Sequence, residues 1–199
     1  SISSSGGAGA VTGGGTLATA TDQITGLDLS SLADGLLTLS ATLTDSATNQ
    51  GAAATATVTK DTGAPGVSIT TASSDWVSGT FSVTVTFTEA VTGFDTTDLF
   101  VVNGTVSNFA GSGDTYTADI TPTAEAEVRV VVGDNAARDA AGNSNTESEL
   151  LRVINDATVP TAVISAGIPN SVLSGAFEIS VVFSEIAQGF SLSDFIVTN

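Results

Sequence analysis

Apolar residues alternate with hydroxyl-bearing residues along much of this chain, and this period of two is the feature that most constrains its fold. From Phe81 to Thr88, Phe and Val occupy every second position and Ser and Thr stand between them. The same alternation returns in the segments 37–43, 52–59, 115–121 and 126–132. Successive side chains of a strand point to opposite faces, so each segment has one apolar and one polar face. The sequence therefore predicts an all-β fold of short strands that bury one face.

The chain also repeats itself at a spacing of about 95 residues. Residues 79–103 align without gaps on residues 175–199, with ten identities in 25 positions. Shorter matches pair KDTGAP (60–65) with NDATVP (155–160) and DSATN (45–49) with DAAGN (139–143). We therefore expect tandem modules: the C-terminal part of one at 1–60, a complete one at 61–155, and the N-terminal part of a third at 156–199. Such a chain is expected to be an excerpt of a longer array.

Turn signals divide the complete module into seven short strands and no helix. Asn103-Gly104 is a strong hairpin dipeptide, and GSGD (111–114) and DAAGN (139–143) are typical of loops. Seven short strands in about 95 residues is the count of an immunoglobulin-like sandwich, although the Cys and Trp markers of antibody domains are absent. A proline follows each module boundary, which predicts short, stiff linkers. The predicted architecture is a tandem array of immunoglobulin-like β-sandwiches.

Charge and composition exclude several classes of function. The chain has 21 acidic and 4 basic side chains, a formal charge of -17, and neither His nor Cys. Ser-His-Asp and Cys-His catalysis, zinc sites of the usual type and disulfides are therefore excluded, and we expect no enzyme. Nucleic acid is excluded as a partner because it requires clustered Lys or Arg. No apolar run is long enough to span a bilayer, so we expect no membrane insertion in this segment.

The run FTEAVTGFDTTDLFVVNGTVSNFAGSGDTYTADITPT, followed by RDAAGN, resembles the bacterial Ig-like repeats of very large surface adhesins, including RTX-type biofilm adhesins. The resemblance covers the complete module and the C-terminal part well, and the first 60 residues more loosely. It implies modules strung into an extracellular stalk on the bacterial cell surface, often with calcium at the junctions. The neighbouring modules of the same chain would then be its main partners.

Acidic residues that are distant in sequence are expected to meet where strands enter a module. In an immunoglobulin-like topology, the loops after the second and sixth strands lie beside the linker that precedes the first strand. Calcium takes six to eight oxygen ligands, and these side chains carry suitable oxygen atoms. The alternative for the DAAGN residues is a turn in which the side chains bond their own backbone. The candidate ligands are Asp61, Glu89, Asp134, Asp139 and Asn143 at the first junction, and Asp156 and Glu185 at the second.

Three functions are compatible with the sequence. The first is a structural spacer of a secreted or surface-anchored bacterial adhesin, stiffened by calcium. The second is a subunit of an extracellular filament, sheath or surface layer in which other copies pack together. The third is a carbohydrate-binding module, for which Trp76 is the only aromatic indication, and packing at the core or edge is favoured for that residue.

Overall fold

A computed structural model describes residues 2–4, 10–14, 27–166 and 175–198. This part of the chain is all-β, with two 3₁₀ turns at Thr96–Asp98 and Leu192–Asp194. The strands are β1 (Ile2–Ser4), β2 (Ala10–Val11), β3 (Gly35–Ala41), β4 (Ala54–Lys60), β5 (Val67–Thr71), β6 (Trp76–Val77), β7 (Phe81–Val91), β8 (Leu99–Val102), β9 (Gly104–Pro122), β10 (Glu127–Val132), β11 (Leu151–Asn155), β12 (Ala162–Ala166) and β13 (Ile179–Phe183).

Residues 61–155, called the central module below, form two facing sheets. One sheet has the strand order β5-β7-β9 and the other the order β6-β11-β10-β8. All pairs are antiparallel except β6 with β11, which run parallel. Seven strands in two sheets confirm the predicted immunoglobulin-like sandwich.

The core of the central module lies between the apolar faces of β7 and β10. Phe81, Val83, Val85 and Phe87 of β7 are each at most 4% exposed, while the Ser and Thr residues between them face outward. Opposite them, Val128, Val130 and Val132 of β10 are 0% exposed. Full burial of a Val or Phe side chain stabilises a fold by about 1.5–3 kcal/mol, so this layer provides the main driving force for folding. Predicted alternation and observed burial agree for these seven residues, whereas Ala126, which was expected on the same face as Val128, is exposed.

An aromatic cluster closes the end of this core where the linker enters. Phe87 and Phe94 meet edge to face with ring centroids 5.2 Å apart, and Tyr116 lies 5.0 Å from Phe94 in a similar orientation. Edge-to-face pairs add roughly 0.5–1.5 kcal/mol beyond the area they bury. The cluster therefore fixes the end of the module at which the candidate ligands were expected.

Two predicted turns have a geometry that the sequence did not specify. Asn103 adopts a positive φ of 60°, but the strands on either side of it belong to different sheets. The predicted hairpin is therefore wrong, and the turn joins the two sheets. GSGD (111–114) is the bend of the long strand β9, whose two arms contact each other through Asn108 Nδ2 and Asp119 Oδ2 at 2.8 Å. The turn dipeptides were recognisable, but the partner of each strand depends on the whole sandwich.

Strand pairs precede and follow the central module. The N-terminal hairpin, β3 with β4, pairs with β1 through β3, and β1 pairs with β2, while the C-terminal hairpin consists of β12 and β13. Details of the repeat recur in them. In the C-terminal hairpin, Phe183 and Phe190 meet edge to face at 4.9 Å. Ser184 and Thr161 exchange backbone and side-chain hydrogen bonds of 2.9 Å, as Thr88 and Gly66 do at 2.9 and 3.0 Å. The boundaries of the flanking modules stay a prediction.

Substitution of Gly111 by alanine is expected to destabilise the central module. Gly111 has a φ of +135°, and an added Cβ would lie 2.4 Å from the carbonyl oxygen of Thr115. The variant is expected to lose about 2–4 kcal/mol of unfolding free energy in urea titrations. Gly133→Ala is the control, because its Cβ would meet only the Phe100 ring at 3.4 Å. Equal losses in the two variants would contradict this account of the bend.

Candidate metal centre

Three of the predicted ligands come together at the entrance to the central module. One carboxylate oxygen each of Asp61, Glu89 and Asp139 lies within 4.8 Å of the others. Asp61 directly follows β4, Glu89 lies near the end of β7, and Asp139 lies in the loop between β10 and β11. The acid cluster, as we call these three residues, therefore joins the linker to two distant parts of the module.

Asn143 holds the acid cluster in place through hydrogen bonds. Its backbone N–H donates to Asp139 Oδ1 at 2.9 Å, and its side-chain amide donates to Asp139 Oδ2 at 2.8 Å. The same amide donates to the backbone carbonyl of Asp61 at 3.3 Å. The DAAGN loop thus forms a turn in which its side chains bond their own backbone, the alternative given for it in the sequence analysis. The same loop also places Asp139 in the acid cluster. Asn143 acts here as a positioning residue.

The electrostatics of the acid cluster are those of crowded like charges. The pKa of Glu89 is raised, first by its partial burial and then by the negative charges of Asp61 and Asp139. Burial also pushes the pKa of Asp139 upward, but hydrogen bonds from Asn143, Gly142 and Ala141 outweigh it and leave that pKa lowered. The hydrogen bonds therefore keep Asp139 ionised. Its negative charge in turn opposes the ionisation of Glu89.

The other predicted ligands lie outside this cluster. Asp134 is exposed and accepts a hydrogen bond from the side-chain amide of Asn135 at 2.8 Å. Asp156 accepts from the backbone N–H of Thr158 at 3.1 Å, an Asx-type turn like that of Asp61 with Gly63 at 2.9 Å. Glu185 has one buried carboxylate oxygen without a hydrogen-bond partner. In the part of the chain that the structure describes, these three acids join no group of three possible ligands.

Asp34 anchors the other side of the same linker, and the sequence analysis missed it. Its Oδ2 accepts from the backbone N–H of Thr62 at 2.9 Å and from the Thr62 hydroxyl at 2.7 Å, while Lys60 Nζ approaches its Oδ1 at 3.0 Å. These contacts, led by the Thr62 hydroxyl, lower the pKa of Asp34 to about 2. The signal in the sequence was Lys60, the chain's single lysine, placed next to a predicted linker.

Asn145 is a second residue that the sequence did not identify. It is 3% exposed, accepts from the backbone N–H of Ala137 at 2.7 Å, and donates to the carbonyls of Gly133 and Thr146 at 2.8 Å. These bonds tie together both ends of the loop that carries Asp139. A buried structural asparagine and a surface asparagine have the same sequence signature, so only the packing reveals this role.

Trp76 lies on the edge strand β6 at the opposite end of the module. Its backbone pairs with Ile154, and its side chain is 59% exposed. The expected edge position agrees with the structure, whereas burial in the core does not.

We expect the amide of Thr62 to report the low pKa of Asp34. Since the folded pKa is near 2 and the ordinary value is 3.8, ionised Asp34 stabilises the linker above about pH 4, and this contribution is lost as the pH falls through 2. In an NMR pH titration, the Thr62 amide shift should change with a midpoint near 2. Asp34→Asn should abolish that step, and a midpoint near 3.8 in the wild type would contradict the hydrogen bonds described.

Of the comparisons with known proteins, one matches the central module. No helix in the described residues is long and apolar enough to cross a membrane. No curated protein and no solved structure matches the chain. The family model described as Bacterial Ig-like domain matches residues 61–153. Domains of this kind are commonly extracellular or surface-exposed and typically non-enzymatic. Residues 61–153 are therefore similar to bacterial Ig-like domains, in agreement with their two facing sheets.

Proposed function

We propose that this chain is a structural spacer of a secreted or surface-anchored bacterial adhesin, and that calcium stiffens the junctions between its modules. The observation that carries the proposal is the acid cluster, because it combines a linker residue, Asp61, with Glu89 and Asp139 of the following module. A cation bound there would join the linker to the module. The preceding and following modules are the main partners in this role.

The donor set of the acid cluster suits calcium. Calcium binds six to eight oxygen atoms, and carboxylates coordinate it through one or both oxygens. Three carboxylates therefore supply about three to six ligands, and water can complete the shell. When bound, the ion would supply positive charge, and each of these acids would be attracted to it, which would offset their mutual repulsion. Asp61, Glu89 and Asp139 would hold it, with Asn143 orienting Asp139.

The linker is already fixed on both sides by neighbouring residues. Thr62 is bonded to Asp34 beside the N-terminal hairpin, while the carbonyl of Asp61 accepts from Asn143 of the central module. Thr62 is thus attached to the segment beside the N-terminal hairpin, and Asp61 is attached to the central module. Since the two residues are adjacent, few backbone torsions between these attachments are free to change. Repulsion within the acid cluster opposes the attachment of Asp61, and a bound cation would remove that opposition.

At an extracellular site, calcium binding would vary with the calcium concentration around the cell. Extracellular calcium modules bind the ion with a Kd of roughly 10⁻⁴ to 10⁻³ M. Binding to the ordered junction stabilises it by mass action, so the stiffness of a stalk would follow the calcium concentration around the cell. The net charge of -17 keeps such a chain soluble and disfavours nucleic acid as a partner. A structural role needs no catalytic residues.

Calcium titration of the Glu89→Gln variant tests the acid cluster. In chelator, the variant should melt at a higher temperature than wild type, because it loses a charge that burial and two neighbouring acids disfavour. With about 10 mM calcium, wild type should gain roughly 5 °C or more, whereas the variant should gain much less. Scanning calorimetry measures both shifts.

The matched control is Asp75→Asn. Asp75 is an exposed acid beside β6, at the end of the module remote from the cluster. This variant should keep the calcium response of the wild type. Small-angle scattering of the full chain should show an increased maximum dimension or a narrower distribution of shapes when calcium is added. Absence of any thermal or scattering response to calcium would refute the calcium role.

A further inference from the structure

The two outer faces of the central module differ in chemistry. On the sheet β5-β7-β9 the outward positions carry hydroxyl groups, as Ser82, Thr84 and Thr86 do on β7. The sheet β6-β11-β10-β8 carries apolar and basic side chains instead. In residues 61–155, all of which the structure describes, the exposed large apolar side chains lie on this second sheet or directly precede one of its strands: Trp76, Phe100, Val102 and Leu150. The outward face of a half-buried sheet is normally polar, so core packing does not explain them.

The strand register places two arginines at the centre of this face. Arg129 of β10 lies opposite Arg152 of β11 on one side and opposite Val102 of β8 on the other. On β6, Trp76 pairs with Ile154, which is two residues from Arg152 on the same strand face. Side chains in such diagonal positions are roughly 7–8 Å apart, so the indole of Trp76 lies within reach of the arginine pair. The arginine face, as we call this surface, consists of Trp76, Phe100, Val102, Arg129, Leu150 and Arg152.

The two arginines share a single carboxylate. Arg129 Nε donates to Glu127 Oε1, and Arg152 Nη1 donates to the same oxygen at 2.8 Å. One glutamate between two guanidinium groups leaves a net positive charge on the face. Both arginine side chains are about half exposed, and each has five N–H donors, of which Glu127 occupies only a part. Half of the four basic residues of this acidic chain thus lie side by side on one apolar surface.

We propose that the arginine face binds an oligosaccharide that contains uronic acid. A carboxylate matches the planar fork of a guanidinium group and accepts two parallel hydrogen bonds from it. The apolar C–H face of a sugar ring packs on an exposed aromatic ring, and the side chains of Trp76 and Phe100 are 59% and 61% exposed. Sugar hydroxyls would meet the remaining N–H donors and Glu127. This binding goes beyond the spacer role, and it rests neither on that role nor on calcium.

The size of the arginine face favours a small, extended ligand over a folded protein. The edge strands β6 and β8 are three strand spacings apart, about 14 Å, and the four residues of β8 span about 13 Å. The projected area of roughly 200 Å² is far below the about 800 Å² that each partner buries in a stable protein interface. A few sugar rings in a row would cover the face from Trp76 to Phe100.

Charge separates this ligand from other anions. Nucleic acids and anionic membranes require many clustered basic groups, which a chain of charge -17 with two adjacent arginines does not offer. A single carboxylate needs only the local pair, because exposed charges farther away than about 8 Å are largely screened at physiological ionic strength. The acids nearest to the face in sequence, Asp75 and Glu149, are exposed and lie at its rim, before β6 and β11.

Fluorescence of Trp76 measures binding at this face directly, because it is the single tryptophan of the chain. The full chain is titrated in chelator and physiological salt with tetrasaccharides of galacturonic acid and of mannuronic acid. At least one of them should change the tryptophan emission in a saturable way. The methyl ester of the same tetrasaccharide, which lacks the negative charges, should bind about tenfold more weakly or less.

Arginine variants distinguish local recognition from an effect of net charge. Arg152→Gln should weaken binding about tenfold or more, since it removes charge-assisted hydrogen bonds. Arg138→Gln is the matched control: it changes the net charge equally, but Arg138 lies in the loop between β10 and β11, where its Nη1 donates to the carbonyl of Gly142 at 2.8 Å. This variant should bind as the wild type does. Exposed ion pairs contribute little to stability, so Arg152→Gln should stay folded, which circular dichroism checks.

Calorimetry of Trp76 variants tests the aromatic contact without relying on fluorescence. Trp76→Ala should weaken binding, and Trp76→Phe should retain most of it. Absence of binding by both tetrasaccharides, equal binding of the methyl ester, or equal weakening by Arg152→Gln and Arg138→Gln would each overturn the proposal. Equal affinity for a tetraglutamate peptide would indicate a polypeptide partner and would overturn it as well. Since calcium is removed throughout, these outcomes are independent of the calcium titration that tests the spacer role.

Discussion

The packing of β7 against β10 is the interaction on which the rest of this structure depends. Each strand contributes a row of apolar side chains at every second position, and the sandwich forms because the two rows exclude water together. Sheet order, the aromatic cluster and the position of the entrance loops all follow from the facing of these two strands. The position of the acid cluster also follows from this packing, since Glu89 belongs to β7, the strand whose alternate residues form the core.

The junction balances two kinds of electrostatic contact on neighbouring linker residues. Asp34 is stabilised in its charged form by the donors of Thr62 and Lys60, so it holds the linker by attraction. Asp61, one position before Thr62, lies among acids that raise the pKa of Glu89. The same short segment is thus held on one side and electrostatically strained on the other. We propose that this arrangement makes the junction sensitive to a cation, and it is the physical basis of the proposed calcium role.

The alternation of apolar and polar residues and the repeat at about 95 residues predicted the fold class, the seven strands of the central module and most of its core. They also predicted that Asp61, Glu89 and Asp139 would meet, because strand order in an immunoglobulin-like sandwich brings those loops together. Asp134 came from the same reasoning but lies outside the cluster, since the conformation of the loop between β10 and β11 decides which of its acids reach the linker. Asp34 and Asn145 were missed because only the fold brings their partners to them: Thr62 and Lys60 to Asp34, and Gly133 and Ala137 to Asn145.

The sequence by itself determined that this chain forms β-strands with one buried face, repeated at a fixed spacing and rich in acidic oxygen atoms. Those properties depend on the order of residues within a strand, which local chemistry dictates. Only the tertiary structure decided which acids lie within 4.8 Å of one another and which apolar faces are covered. Val83 is 1% exposed because the hairpin of β10 and β11 packs on its strand. The alternation within β7 shows which of its faces is apolar, but it does not encode which strands pack against that face.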